Sequence, residues 1–399
     1  MSQHQSDIFT TLPWHILEAI LEKLEDLSSL HSIYRASPAV FSLLHEDGTA
    51  RRIIQRIMDS SMPAETRVLI CKFACLRWNA RLVADMDSFI EQYVNNDKYT
   101  NLPRELPLGT LCDILAASAT IHYLAHAGIH EMIDRCMALE FFHTKNEDLK
   151  YMRGFGRHPT GPRERMYQED VGAPSAVEEQ RVIRALWSVF LTWELRDAVY
   201  GLSPRLNWSA DEVQKLQNLH TENIWHCEQT WKGHVSGQLM EEARTMVEWC
   251  SCLFPTLPCP VERYHAAKAL ARRAQWQYQC NCPPPRAIDI GKRDDEITSE
   301  ALSYKFVTRR LATHCISPLL HVSFRVFRCF GFVFWDQERM AALGLLPSRD
   351  GSPALPQAPR SELDMYARWV SILNADELDE IEERKEHFVP GTERPVCGI

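Results

Sequence analysis

The chain has 399 residues, of which 45% are hydrophobic and 24% charged, with a formal net charge of −9 at pH 7 and a pI of about 6.0. This composition is typical of a globular protein with about two to three domains and a core that needs no disulfide support. The acidic balance, without any long basic run, excludes a nucleic-acid backbone as the main partner, because phosphate binding requires concentrated positive charge.

The N-terminal segment is predicted to form three short helices. Pro13 suits the first turn of a helix, where its missing N–H costs nothing. Asp26 is an N-cap candidate for a second helix, and Ser37 before Pro38 indicates the start of a third. A hairpin this apolar must bury surface against the rest of the chain or against a partner. The apolar positions of the first helix, at helical spacing, are Leu12, Ile16, Leu17, Ile20, Leu21 and Leu24.

The ordered pattern of this segment resembles an F-box over residues 10–50, of the type found in F-box-like proteins of filamentous fungi. An F-box attaches a substrate receptor to a cullin-type ubiquitin ligase by binding a Skp-family adaptor. Tyr34-Arg35-Ala36-Ser37-Pro38 keeps the arginine of many F-boxes but lacks their cysteine and following aromatic residue. The sequence does not divide adaptor contacts from hairpin core, and on periodicity alone the segment also fits the first hairpin of an ordinary helical domain. The resemblance implies adaptor-binding residues at Leu12, Pro13, Ile16, Leu17, Ile20, Leu21, Leu24, Leu27 and Leu30.

The remainder of the chain is predicted to be mostly helical. Capping-box patterns at Ser175–Glu178 and Ser209–Glu212 open two of the helices. Residues 321–330 alternate like a strand but fit a buried helix as well. Residues 330–345 resemble a C-terminal segment of the same fungal proteins, and they also fit an aromatic core cluster followed by a helix capped at Asp336. Helices are predicted at 49–59, 63–83, 106–137, 175–199, 209 onward, 236–253, 260–279, 298–314 and 361–387, with linkers at 152–174, 280–297 and 345–361.

Two groups of side chains are candidates for metal binding. His122, His126 and His130 share a spacing of four, but Gly128 is expected to interrupt their helix. The densest thiol cluster has Cys-x-Cys pairs, whereas structural zinc usually takes pairs spaced by two to four residues. Zinc-bound thiolates and free, partly buried cysteines both remain open for this cluster. Its members are Cys250, Cys252, Cys259, Cys280 and Cys282.

Sequence motifs of catalysis are not found. The chain has no Gly-x-Ser-x-Gly nucleophile elbow and no P-loop, and Gly154-Phe-Gly156 lacks the third glycine of a dinucleotide site. The N-terminus lacks the apolar core of a signal peptide, and no apolar run approaches the roughly 20 residues that span a bilayer. We therefore expect an intracellular protein, in the cytoplasm and/or nucleus, with no membrane partner and with reduced cysteines.

The sequence thus predicts a mainly α protein with an F-box-like domain at 8–60 and a large, irregular α-helical region at 61–399. By resemblance, it would be a non-catalytic substrate receptor of an SCF-type ubiquitin ligase, without a cofactor. Its partners would be a Skp-family adaptor with its cullin complex and a protein target that the sequence does not identify. Alternatives are a helical interaction protein whose hairpin is all core, an F-box-like receptor working outside the ligase, and a zinc-stabilised helical protein.

Overall fold

The fold is mainly α, as predicted. A computed structural model describes residues 7–46, 48–79, 83–94, 99–144, 163–166, 172–218, 237–257, 259–272, 297, 299–313, 317, 319–347, 359 and 362–387. Its α-helices are α1 Trp14–Leu21, α2 Leu27–Ala36, α3 Pro38–Leu44, α4 Thr49–Ser61, α5 Ala64–Asn79, α6 Met86–Phe89, α7 Leu108–Met137, α8 Ala176–Tyr200, α9 Ala210–Asn218, α10 Gly237–Leu253, α11 Pro260–Arg272, α12 Leu302–Phe306, α13 Gln337–Ala342, α14 Glu362–Ser371 and α15 Ala375–His387. Helical turns of other types lie at Ile8–Thr11, Ile90–Val94, Val307–Leu311 and Phe324–Phe330.

Two of the three N-terminal helices begin at the caps that the sequence predicts. Asp26 caps α2 by accepting a hydrogen bond from the Ser29 N–H at 2.7 Å. Ser37 caps α3 through the Val40 N–H at 3.1 Å, and Pro38 occupies the first turn. Pro13 stands one position earlier than predicted, as the N-cap residue of α1. These caps satisfy N–H groups that have no partner inside the helix, so local sequence sets the helix starts.

The chain divides into two compact units. Unit 1 comprises Met1–Gly128, Glu179–His234 and Met246–Thr298, and unit 2 comprises Ile129–Glu178, Val235–Thr245 and Ser299–Ile399. Residues 8–60 therefore fall in unit 1 together with later helices. That they form an F-box-like domain stays a prediction.

The core of unit 1 is built on α5, α8 and α11. The ring of Phe73 on α5 meets Trp187 on α8 edge-on, with centroids 5.6 Å apart. Phe190 on α8 meets Tyr264 on α11 in the same way at 5.4 Å. All four rings are buried, and such edge-to-face pairs stabilise a core beyond the area they bury.

The core of unit 2 is an aromatic cluster around Trp369 on α14. Phe327 and Phe332 approach its ring edge-on at 5.1 and 5.3 Å, and the indole N–H donates to the Leu345 carbonyl at 3.0 Å. Asp336 caps α13 through the Arg339 N–H at 2.9 Å. The aromatic cluster and the capped helix predicted at 330–345 are therefore both present.

Two predictions of secondary structure were wrong. The linker predicted at 152–174 contains a strand, Arg163–Met166, which pairs antiparallel with Phe141–Thr144. The helix predicted at 361–387 is two helices, because Asn374 begins α15 by accepting from the Glu377 N–H at 2.9 Å. Of the two alternatives left open for 321–330, the helix is the one present, because Phe324–Phe330 form a 3-10 helix with Phe324 and Phe327 buried. Most of the linkers predicted at 280–297 and 345–361 lies outside the described residues.

Gly128 does not interrupt α7, contrary to prediction. The helix runs continuously from Leu108 to Met137, and a Cβ at Gly128 would stand 3.3 Å from the ring of Trp249. A glycine inside a helix costs about 1 kcal/mol relative to alanine, but here it lets an indole ring pack against the backbone. Gly128 therefore allows close packing against Trp249 and does not break the helix.

Helix α7 is also long and apolar enough to cross a membrane by length and composition. Among the described residues it is the one such helix, and 56% of its most apolar window is buried inside the protein. The core helix of a soluble protein passes the same test.

Candidate protein-binding surface

Helix α1 carries two adjacent apolar stripes with different surroundings. Leu17 and Leu21 are 2% and 0% exposed and belong to the core. Ile16 and Ile20 are 41% and 42% exposed. Since residues four apart share a helix face, each pair forms a stripe, and the two stripes lie side by side. One side of α1 holds the fold, and the neighbouring side presents branched aliphatic groups to solvent.

The other predicted adaptor-binding residues divide in the same way. Leu27 and Leu30 on α2 are fully buried, Pro13 is exposed, and Leu12 and Leu24 are half-buried. The structure thus separates two roles that the sequence left together. Leu17, Leu21, Leu27 and Leu30 form core, while Leu12, Pro13, Ile16, Ile20 and Leu24 retain surface that a partner can cover. We call these five residues the α1 surface.

The chain before α1 is held by Asp7. Its carboxylate accepts hydrogen bonds from the Ser37 hydroxyl at 2.6 Å, the Ala39 N–H at 3.2 Å and the Phe9 N–H at 3.0 Å. The Ser37 hydroxyl, ahead of the two N–H groups, lowers the pKa of Asp7 below its usual value. Asp7 therefore fastens the turn Ile8–Thr11 to the start of α3, which fixes the chain leading into the α1 surface.

Three further exposed apolar side chains were missed by the sequence reasoning. Ile8 is 74% exposed, Trp14 50% and Phe41 45%. Trp14 lies about half a turn from Ile16 on α1, so it lies off the α1 surface. The Phe41 ring contacts the His45 ring at a tilt of 33°, with centroids 4.0 Å apart. Periodicity could not find these residues, because it marks apolar positions without saying which face of a short helix the fold covers.

Charges close to α1 are mostly acidic. Glu18 on α1 pairs with Arg52 on α4, which neutralises one of them. Glu22 and Glu25 follow, with one lysine, Lys23, between them. Interface rims are polar and steer partners by complementary charge, so a partner with a basic rim would best complement the acidic residues around α1.

The candidate thiol cluster is not assembled in the part of the chain that the structure describes. Burial raises the pKa of the Cys250 thiol to about 12, whereas Cys252 is exposed and Cys259 half-buried. No group of three His, Cys, Asp or Glu side chains placed to hold a metal ion occurs among the described residues, and this includes the histidines of α7. Cys280 and Cys282 lie outside the described residues.

The histidines predicted as a ladder lie on one continuous helix. His122, His126 and His130 are all half-buried. Burial lowers the pKa of His122 and His130, which favours neutral rings at pH 7. Neutral, partly buried histidines fit the reading of these residues as part of the packing of α7.

A group of charged and polar side chains around Glu194, which we call the Glu194 constellation, lies in unit 1 and was not predicted from the sequence. The Glu194 carboxylate on α8 is fully buried and accepts hydrogen bonds from Arg77 at 2.9 Å, from Arg205, and from the Tyr264 hydroxyl at 2.6 Å. Burial opposes ionisation of Glu194, but Arg77 and Arg205 hold its pKa below the usual value. Its members come from α5, α8, α11 and the segment after α8, and only the fold brings them together.

The chain matches no protein-family model, no curated protein and no solved structure. What the α1 surface can do therefore has to be argued from its own side chains. They offer a half-exposed aliphatic stripe beside a well-ordered core, which suits contact with another protein better than small-molecule chemistry.

Proposed function

We propose that this chain is the substrate-receptor subunit of an SCF-type, cullin-based ubiquitin ligase and binds a Skp-family adaptor through its α1 surface. The observation that carries the proposal is the stripe of Ile16 and Ile20, exposed next to the buried stripe of Leu17 and Leu21. The partner is inferred from the sequence, because the order of residues at 10–50 resembles an F-box, which binds a Skp-family adaptor. Ubiquitin transfer itself would be catalysed by other subunits.

The energetics favour the exposed stripe as the contact. Burying apolar surface gains about 25 cal/mol per Å², and Ile16 and Ile20 together leave much of theirs in water. Few residues dominate an interface, and a central aliphatic pair with a polar rim fits that pattern. Pro13 and Leu12 extend the surface before α1 and Leu24 extends it after, as expected for a helix docked in a partner's groove.

Under this proposal, fewer residues contact the adaptor than the sequence predicts. Leu17, Leu21, Leu27 and Leu30 shape the hairpin from inside, and the α1 surface makes the contact. The rest of the chain would hold a protein target close to the ligase, so function depends on proximity. Such a receptor works inside the cell, in the cytoplasm and/or nucleus.

The test is co-expression with a Skp-family adaptor followed by size exclusion. We expect a 1:1 complex with the native chain and its loss in the double variant Ile16→Asp/Ile20→Asp. Leu202→Asp is the matched control, because Leu202 is 90% exposed in unit 1 and lies outside the α1 surface. Circular dichroism and thermal unfolding verify that all three proteins are folded. A folded native chain that ignores the adaptor contradicts the proposal.

The alternative function is a helical interaction protein with no ligase role. The observation in its favour is that Leu17, Leu21, Leu27 and Leu30 are all buried, as in any helical core. Under this alternative the α1 surface serves a different protein. The co-expression experiment separates the two functions, since only the ligase receptor retains the adaptor.

A further inference from the structure

Residues 201–204 form a short loop directly after α8. The start of the loop is tied back to the helix, because the Gly201 N–H donates to the Asp197 carbonyl at 3.0 Å. The residue after the loop is tied back as well, since the Arg205 N–H donates to the Ala198 carbonyl at 2.7 Å. Both ends of the loop are therefore held at the last turn of α8, and the residues between them protrude.

The protruding residues are exposed to solvent. Leu202 is 90% exposed, and Ser203 and Pro204 are exposed too. Among the residues that the structure describes, none forms a hydrogen bond with the Ser203 hydroxyl. An enzyme can therefore reach this hydroxyl without any unfolding of the core, and exposed loop tips are the segments that other proteins reach most easily.

The loop contains a Ser-Pro pair whose surroundings differ from those of the other Ser-Pro pairs. The chain has four such pairs, which begin at Ser37, Ser203, Ser317 and Ser352. Ser37 and Ser317 are 3% and 6% exposed. The hydroxyl of Ser37 is bonded to Asp7, and that of Ser317 accepts from a backbone N–H at 3.1 Å. Ser352 lies outside the described residues. Of the three described pairs, the one at Ser203 is therefore the one open to solvent.

We propose that Ser203 is a phosphorylation site for a proline-directed protein kinase. Proline lacks a backbone N–H, so a kinase pocket with no acceptor for that group favours proline directly after the target serine. In the reaction, the Ser203 Oγ attacks the γ-phosphorus of ATP and its proton passes to a base of the kinase. The bond from the γ-phosphorus to the bridging oxygen breaks, and ADP leaves with the electron pair. This site does not depend on the proposed adaptor.

The loop can carry a phosphate without disturbing the fold. A phosphoserine adds about two negative charges at pH 7, and it disrupts a structure where it is buried or lies beside carboxylates. Arg205 is the only charged residue in the sequence from 201 to 208, and its side chain is 30% exposed. The nearest carboxylate earlier in the sequence belongs to Asp197, which is engaged by a histidine at 2.9 Å. At Ser37, by contrast, a phosphate would stand against the Asp7 carboxylate.

The experiment compares the folded chain with peptides that carry the same serines. The full chain is incubated with ATP and a kinase of the mitogen-activated class, and it carries Ser352→Ala so that the pair outside the described residues cannot react. The same treatment is given to synthetic peptides of residues 31–43, 197–209 and 311–323. Mass spectrometry measures the rate of phosphorylation at each serine. Ser203→Ala removes the proposed site, and Ser317→Ala is the matched control.

We expect Ser203 in the folded chain to react within about tenfold of its rate in the peptide, because the loop needs no unfolding. Ser37 and Ser317 should react at least about a hundredfold more slowly than in their peptides, because the fold must open first. Ser203→Ala should lose the main phosphopeptide and Ser317→Ala should keep it, with circular dichroism verifying that both variants are folded.

Two results overturn the proposal. In the first, the kinase leaves Ser203 unmodified, either in the folded chain or in its peptide. In the second, all three serines of the folded chain react at similar rates relative to their peptides, which would mean that the exposure of the loop does not select Ser203.

Discussion

The Asp7 carboxylate accepts a 2.6 Å hydrogen bond from the Ser37 hydroxyl, across 30 residues of sequence. Ser37 at the same time caps α3 through the Val40 N–H. One hydroxyl therefore joins the start of a helix to the turn that precedes α1. The order of the chain around the α1 surface depends on this pair.

Removing the Asp7 carboxylate should free the turn that it holds. In Asp7→Ala we expect residues 8–12 to lose amide protection, because the Ser37, Ala39 and Phe9 donors lose their common acceptor. Hydrogen exchange followed by mass spectrometry measures this. Glu25→Ala, which removes an exposed acidic group, should leave these amides unchanged. Equal protection in both variants would show that Asp7 does not hold the turn.

The same pair predicts a pH dependence. The hydrogen bond from the Ser37 hydroxyl holds the folded pKa of Asp7 below its usual value of 3.8. Its contribution is therefore complete above about pH 4 and is lost as pH falls through the folded pKa. A carbon-detected NMR titration of the Asp7 carboxyl should give a value under 3.8, and Ser37→Ala should raise it. An unchanged titration in Ser37→Ala argues against the hydroxyl as the main cause.

Truncating two neighbouring residues on α1 should cost very different amounts of stability. Leu17→Ala should lower the free energy of unfolding by about 2–5 kcal/mol, because it leaves a cavity in the core. Ile16→Ala should cost less than about 1 kcal/mol, since Ile16 is 41% exposed. Thermal unfolding compares the two variants. Similar losses of stability would mean that Ile16 is buried as deeply as Leu17.

Glu194→Gln should strongly destabilise unit 1. The variant leaves Arg77 and Arg205 without their buried counter-charge, at a cost of about 3 kcal/mol or more. Glu380→Gln is the control, because Glu380 pairs with Arg384 on the exposed surface of α15 and such a pair contributes little. The measurement is denaturation of both variants at pH 7.

Acid should affect the native chain more than Glu194→Gln. The folded pKa of Glu194 is lowered from 4.5, so its stabilisation is present above that value and is lost as pH falls through the folded pKa. We expect the difference in stability between the two proteins to shrink from about pH 5 to pH 3. A difference that stays constant over this range would show that the charge of Glu194 is not what stabilises the fold.

Two glycines should respond differently to alanine. Gly331 has a φ of +66°, and a Cβ there would stand 2.7 Å from the Met132 sulfur. Gly331→Ala should therefore destabilise by about 1 kcal/mol or more. A Cβ at Gly109, in the first turn of α7, would meet nothing within 4 Å, so Gly109→Ala should be neutral or stabilise by less than about 1 kcal/mol. Thermal unfolding compares the two variants with the native chain. A Gly331→Ala variant as stable as the native chain would show that an alanine at this position is not strained.

Helix starts were readable from sequence because their causes are local. Asp26, Ser37 and Ser175 each cap the helix that the sequence assigned to them. The second capping box is formed only in part. The Glu212 N–H donates to Ser209 as expected, but the Glu212 carboxylate accepts from the distant Met86 N–H at 3.1 Å.

The other features of the fold and of the α1 surface could not be predicted, because they depend on contacts between segments that are distant in the sequence. Periodicity found Ile16 and Leu17 alike as apolar, and only the packing of other helices decides which one is covered. Gly128 looked like a helix break because its reason for being glycine, the ring of Trp249, lies more than a hundred residues away in the sequence. The Glu194 constellation is invisible to spacing rules for the same reason.

Glu178 closes the capping box of α8, with the Ser175 N–H at 2.8 Å, and also binds the Arg339 guanidinium at 2.8 Å across 161 residues. A capping box accepts glutamine in place of glutamate, but the buried arginine does not. The start of α8 therefore depends on Arg339, which lies 161 residues later in the sequence.

During synthesis Glu178 emerges long before Arg339, so unit 2 is expected to fold late. A fragment that ends before Arg339 should leave the Glu178 carboxylate without its arginine partner and fail to pack.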